Sequence, residues 1–297
     1  MTDTPPLIFD RSAYRAQRKR AGKAGGETLL ADLAISALAE RVSIVNRRFT
    51  DALNLGCYEK PSHKLTNLAE NWTYAGIVQP IQNSDSWVVA DEDALPFAEK
   101  SFDLIVSALS LHVVNDLPGA LVQIRRALKP DGLFVAAMFG GDTLSELRVS
   151  FANAETKISG GVSPRVLPFA DMLKLGSLLQ RAGFALPVTD IERTILRYRD
   201  IVKLFTDLRA MGETNVLAAR TRTPLTRRLL GSLVEEYVDG YADSDDRIPA
   251  TFETIFLTGW APHESQQRPL RPGSAKMRLA DALGTKEHPS GEKPRGL

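Results

Sequence analysis

Residues 102–107 (Phe-Asp-Leu-Ile-Val-Ser) and 133–139 (Leu-Phe-Val-Ala-Ala-Met-Phe) are apolar along most of their length, and between them residues 117–128 carry apolar side chains at helical spacing. A strand that is apolar on both faces must be covered on both, whereas a half-exposed strand alternates. Strand, helix and strand in that order therefore predict a mostly parallel sheet with helices on both faces, an α/β fold. Lys129-Pro130-Asp131-Gly132 predicts a tight turn that stops the helix. Such sheets bind ligands beyond the C-terminal ends of their strands, at a topological switch point. Segments that follow strands are thus where chemistry is expected.

The same reading extends along the chain. Residues 52–55, 74–78 and 87–90 read as further strands, and residues 27–45 as an amphipathic helix. Thr143-Leu144-Ser145-Glu146 has the form of a capping box, which predicts a helix start with Thr143 and Glu146 satisfying backbone donors. Residues 172–182 read as a helix closed by Gly183, and residues 186–197 as extended. Two helices at 201–211 and 225–241 form an insertion, about 201–245, before a last β-branched and aromatic strand at 251–260. The expected organisation is a basic N-terminal segment over 1–26, a single domain over 27–283, and a disordered tail over 284–297 that carries Pro289, Gly291, Pro294 and Gly296.

Composition excludes several classes. Lys+Arg 37 against Asp+Glu 36 leaves a formal charge of +1, so bulk charge gives no argument for nucleic acid. One cysteine, Cys57, permits no intramolecular disulfide and fits a reducing compartment. No apolar run approaches the ~20 residues needed to span a bilayer. Leu7-Ile8-Phe9 is followed at once by Asp10 and Arg11, which is no signal-peptide core, and a cytoplasmic protein is expected. The basic cluster Arg15, Arg18, Lys19, Arg20 and Lys23 reads as a solvated helix face or as a surface for an acidic partner.

Candidate site residues sit after the strands. Gly56 follows the first strand, where backbone must approach a nucleotide-type cofactor closely. Asp91, after the third strand, is placed to accept from an adenine amino group or simply to cap its loop. His112 follows the fourth strand as an acid/base or a structural hydrogen-bonder. Cys57 is a thiolate nucleophile or a small buried filler. The dispersed histidines His63, His112, His263 and His288 exclude a zinc site, and His263-Glu264-Ser265-Gln266-Gln267 lacks the second histidine of a zincin helix.

These residues resemble class I S-adenosylmethionine-dependent methyltransferases, on the branch holding malonyl-carrier-protein methyltransferases and a mitochondrial complex I assembly factor described as an arginine hydroxylase. The likeness is carried by Ile8-Phe9-Asp10-Arg11, residues 90–97, 101–118 and 128–132, Ala137 to Leu144, Gly259-Trp260 and His263-Glu264-Ser265-Gln266. It implies a Rossmann-like, mostly parallel seven-stranded sheet. It also implies S-adenosyl-L-methionine as cofactor, held by Asn54, Gly56, Asp91, Glu92, Ser107 and Leu109, with no metal. His112 and Asp142 are the acid/base candidates it leaves, and Asp142 with Glu146 could pair with a target guanidinium. The implied partner is a protein substrate or client, such as a respiratory complex I subunit. Where the family has an acid and three glycines after the first strand, this chain has Asn54, Gly56, Tyr58 and Lys60, and Gly76 replaces the ribose-binding acid. Two expectations follow: an enzyme using the cofactor, or an assembly module with an altered cofactor loop.

Overall fold

In the computed structural model, which describes residues 7–23, 29–57, 63–80, 86–267, 274 and 277–286, the two apolar runs lie side by side in the middle of a sheet. In chain order the elements of the main unit are α1 (Arg11–Lys23), α2 (Leu29–Ser43), β1 (Phe49–Leu55), α3 (His63–Thr66), β2 (Ala69–Gly76), β3 (Trp87–Val89) and β4 (Phe102–Ala108). A 3-10 turn at Leu111–Val113 follows, then α4 (Leu117–Ala127), β5 (Leu128–Phe139), α5 (Ser145–Ser159), α6 (Met172–Arg181) and β6 (Ala185–Tyr198). The unit ends with α7 (Ile201–Met211), α8 (Arg227–Tyr241) and β7 (Ile248–Trp260). Residues 264–297 form a separate unit, whose described part holds the short helix α9 (Leu279–Leu283).

The seven strands run in the order β3-β2-β1-β4-β5-β7-β6. Pairs from β3 through β5 are parallel, and β7 runs antiparallel to both β5 and β6. The sheet is therefore mixed but mostly parallel, and helices α7 and α8 fall between the last two strands in sequence. Every residue of β4 is buried, as is every residue of β5 from Leu133 onward, which is why their sequences do not alternate. One core cluster joins Ala52, Leu104 and Val135 to α2, α5, α7 and α8. The other joins Leu53, Ile105 and Phe134 to α4 and α6 on the opposite face.

Two local expectations are corrected. The Lys129–Gly132 segment is not a turn outside the sheet. It is drawn into β5 as an irregularity, between the Phe102–Leu128 and Leu104–Leu133 pairings, with Asp131 at φ 61°. The capping box does not form either. Leu144, in the left-handed region at φ 55°, caps α5 without a side-chain bond. Thr143 Oγ1 instead donates to the Glu253 carbonyl (3.0 Å) and accepts from Glu253 N–H (3.1 Å), while Glu146 accepts from the N–H (3.2 Å) and hydroxyl of Thr251. Both side chains found stronger use in tying α5 to β7 than in capping.

The N-terminal motif is clamped from two sides. Asn115 Oδ1 accepts from the N–H groups of Ile8 (2.9 Å) and Phe9 (2.8 Å), and Phe9 bridges Leu217 on the other side. Asp10 then starts α1, accepting from Ala13 N–H (2.9 Å) and from Arg220 (2.9 Å). These bonds, the Ala13 N–H first and Arg220 next, hold the Asp10 carboxyl below the usual carboxylate range. A depressed folded value means that its contribution is complete at neutral pH and fades as pH falls from the ordinary carboxylate range through the lowered one. Asp10→Ala is expected to cost about 1–2 kcal/mol at pH 7, as loss of a helix cap usually does. The difference from wild type in thermal melts should shrink toward acid pH; a pH-independent difference would contradict the assignment.

Candidate functional site

The switch point of this sheet lies between β1 and β4, whose neighbours on either side are reached by opposite chain directions. Gly56 ends β1 at φ 72°, and its N–H is bound by the Ala75 carbonyl (2.7 Å). A Cβ at this position would overlap the Ser110 hydroxyl and come within 2.8 Å of Glu92 Oε1. Glycine is required there by conformation and by space together. Ser110 in turn hydrogen-bonds Ser107 across 3.0 Å, so β4 contributes a fixed hydroxyl pair to the same corner. Gly76, at the end of β2, faces the Trp87 ring and the Cys57 carbonyl. Tyr58 and Lys60 lie outside the described residues.

Two acids follow β3. Asp91 accepts from Asp93 N–H (3.1 Å) and Glu92 is almost wholly buried. Both meet Arg11 of α1, which also donates to the Val113 carbonyl (3.0 Å). Burial alone would lower the guanidinium's proton affinity, but the charge of Glu92 and the Asp91 hydrogen bond outweigh it and raise it. Arg11 takes Asp91 and Glu92 Oε2, whereas Glu92 Oε1 is buried without a partner among the described residues. Asn54 Oδ1, two residues before Gly56, is in the same state.

Helix α1 thus forms one wall of this corner. Arg18 donates to the Gly56 carbonyl (2.8 Å) and is buried, which corrects the solvated-face reading at that position. Tyr14, between the two arginines, is buried and has its phenol pushed up by that burial. Burial also pushes the Cys57 thiol up to about 12, so the buried-filler reading of Cys57 holds and the thiolate reading does not. Leu109, at φ 50°, is buried and belongs to the core cluster that includes Leu104 and Leu144.

His112 is buried, not on the rim. Its Nε2 lies 2.8 Å from Glu213 Oε2, and its ring packs against Phe139 and Phe169 at 5.1 and 5.7 Å. Glu213 follows Gly212, which closes α7 in the left-handed region. It also lines a cavity of about 530 Å³ together with Phe139, Phe169, Phe205 and Phe252. Asp142 faces elsewhere: it is more than half exposed and paired with Arg193 of β6. Glu146 is engaged by Thr251 and so is not available at the rim. The corner unites Asn54, Gly56, Glu92, Asp91 and Ser107 with Arg11 and Arg18, while Glu213 pairs with His112 beside it; the sequence did not single out Arg11, Arg18 or Glu213 as site residues. Among the described residues no cluster of His, Cys, Asp and Glu is arranged to hold a metal.

Strand order, the antiparallel β7 and the polar corner at the β1–β4 switch define a Rossmann-like class I methyltransferase fold. A solved methyltransferase candidate from Bacillus halodurans, 10% identical, superimposes with a TM-score of 0.50 over 77% of this chain and 99% of its own. The methyltransferase domain family matches residues 65–136. The zebrafish (Danio rerio) mitochondrial arginine-hydroxylase NDUFAF5 is 38% identical over 288 residues, covering 92% of this chain and 89% of that protein. The chain belongs to the NDUFAF5 family. A malonyl-[acyl-carrier protein] O-methyltransferase from Gallionella capsiferriformans is 34% identical over 199 residues, covering 63% of this chain and 66% of that protein. No helix among the described residues is long and apolar enough to cross a membrane.

Proposed function

We propose that the chain binds S-adenosylmethionine at the ends of β1, β3 and β4 and acts on, or holds, an arginine-bearing protein subunit, a respiratory complex I subunit being the client the family implies. The carrying observation is the pair of buried acceptors without partners among the described residues, Glu92 Oε1 and Asn54 Oδ1, set around Gly56 at the switch point. Buried acceptors of this kind call for donors, and the hydroxyl and amino groups of an adenosyl ligand are donors. The residues therefore fit such a ligand, in spite of the missing second-strand acid. When bound, the cofactor supplies a methyl group activated by a sulfonium centre.

The chain's own residues set the rest. Arg11 neutralises two adjacent acids, so that Glu92 can stand buried and still present one oxygen. Arg18 fixes the Gly56 carbonyl and with it the turn that the ligand would cross. Tyr14 keeps water from the corner, and low water content strengthens every polar contact made there. Calorimetric titration with S-adenosylmethionine and S-adenosylhomocysteine is expected to give micromolar binding by the native protein. Glu92→Gln is expected to weaken it by about tenfold, roughly 1.4 kcal/mol. No binding by the native protein, with recovery in Tyr58→Gly/Lys60→Gly, would overturn the cofactor assignment and identify a partner-binding scaffold.

A further inference from the structure

The cavity beside the His112–Glu213 pair is distinct from the cofactor corner, although His112 sits on the strand-four connection that also supplies Ser110. At about 530 Å³ it has the size of a small-ligand site. Its walls combine aromatic and aliphatic side chains with threonines and three arginines, and among the described residues Glu213 is the one acid lining it, itself buried. Glu213 Oε2 is held by His112, while Oε1 has no partner among the described residues. His112 Nδ1 is also without one. A buried carboxylate with an unmet oxygen requires a donor, best a cationic one.

The charges already on the walls do not supply it. Arg165 is bound by Glu155 through two donors (2.8 and 2.7 Å), and Arg220 by Asp10. Arg209 is solvent-exposed and stands over the Phe205 ring at 6.0 Å. A delocalised, weakly hydrated guanidinium suits this combination of aromatic walls and one acid better than a compact ammonium does.

We propose that this cavity receives the side chain of an arginine presented by the partner protein, with Glu213 Oε1 accepting from its guanidinium and His112 positioning Glu213. The inference rests on the reading that the target is a protein arginine, and it assigns the receptor for it. The test titrates the full chain with acetyl-Gly-Arg-Gly-amide and with the citrulline analogue, which keeps the shape and loses the charge. The arginine peptide is expected to bind at least tenfold more tightly, and Glu213→Gln, confirmed folded by its thermal melt, is expected to abolish that preference. Equal binding of the two peptides, no binding of either at millimolar concentration, or a preference that survives Glu213→Gln overturns the proposal. The wild-type comparison needs no variant, so a misfolded Glu213→Gln does not remove the test. An S-adenosylhomocysteine titration on the same samples separates the two readings. A peptide preference without cofactor binding sinks only the cofactor assignment, and cofactor binding without a preference sinks only this one.

Discussion

Arg11→Met is expected to lower the unfolding free energy by about 3 kcal/mol, at the lower end of what removing one member of a buried ion pair costs. The reason is what it leaves behind. Glu92 is 1% exposed and Arg11 is its ion-pair partner, while Asp91 and Asp93 crowd the same guanidinium. Three neighbouring acids without that cation would repel one another around the buried Glu92. At roughly 2–4 °C per kcal/mol for a domain of this size, the melting temperature should fall by about 6–12 °C. Adding Glu92→Leu should return most of the loss, because a buried pair replaced as a unit costs far less than a broken one. A single variant within about 1 kcal/mol of wild type would show that Arg11 does not hold the acids, and that α1 is not a wall of the site.

Gly56→Ala should be nearly as severe, by a different mechanism. A left-handed non-glycine residue costs about 1 kcal/mol, and overlap with the Ser110 side chain adds strain of at least that size. About 3 kcal/mol in total is expected, with loss of S-adenosylhomocysteine binding in calorimetry, since the turn and the hydroxyl pair must move apart. Gly160 provides the control: it has almost the same φ, 69°, but nothing lies within 4 Å of its would-be Cβ. Gly160→Ala should show only the backbone strain and should bind the ligand as wild type does. Equal destabilisation of the two variants would mean that the crowding at Gly56 is relieved at no cost.

The central sheet was readable because β4 and β5 are buried on both faces, a burden that few other local structures impose. Helix ends were readable where the signal is local, as at Gly183, which follows α6 in the left-handed region. Thr143 and Glu146 misled because the same atoms that could cap α5 bond to a strand more than 100 residues away. The site was half legible for the same reason. Gly56, Asp91 and Glu92 lie on short strand-end segments, and position after a strand is itself a signal. Arg11 reaches Asp91 and Glu213 reaches His112 across separations of 80 and 101 residues, which no periodicity encodes. Glu213 did leave a local trace. An acid just past the C-terminus of a helix opposes the helix dipole, and breaking a local rule without local compensation is typical of residues kept for a site.

The central claim, that the corner around Gly56 is the adenosyl site, is tested most directly by hydrogen exchange of the full chain with and without S-adenosylhomocysteine. The account predicts slowed exchange in residues 54–57, 90–94 and 107–113 and in α1, with α4 and α6 unchanged. Absence of protection in those segments at saturating ligand, or protection confined to α7 and the cavity walls, would contradict it.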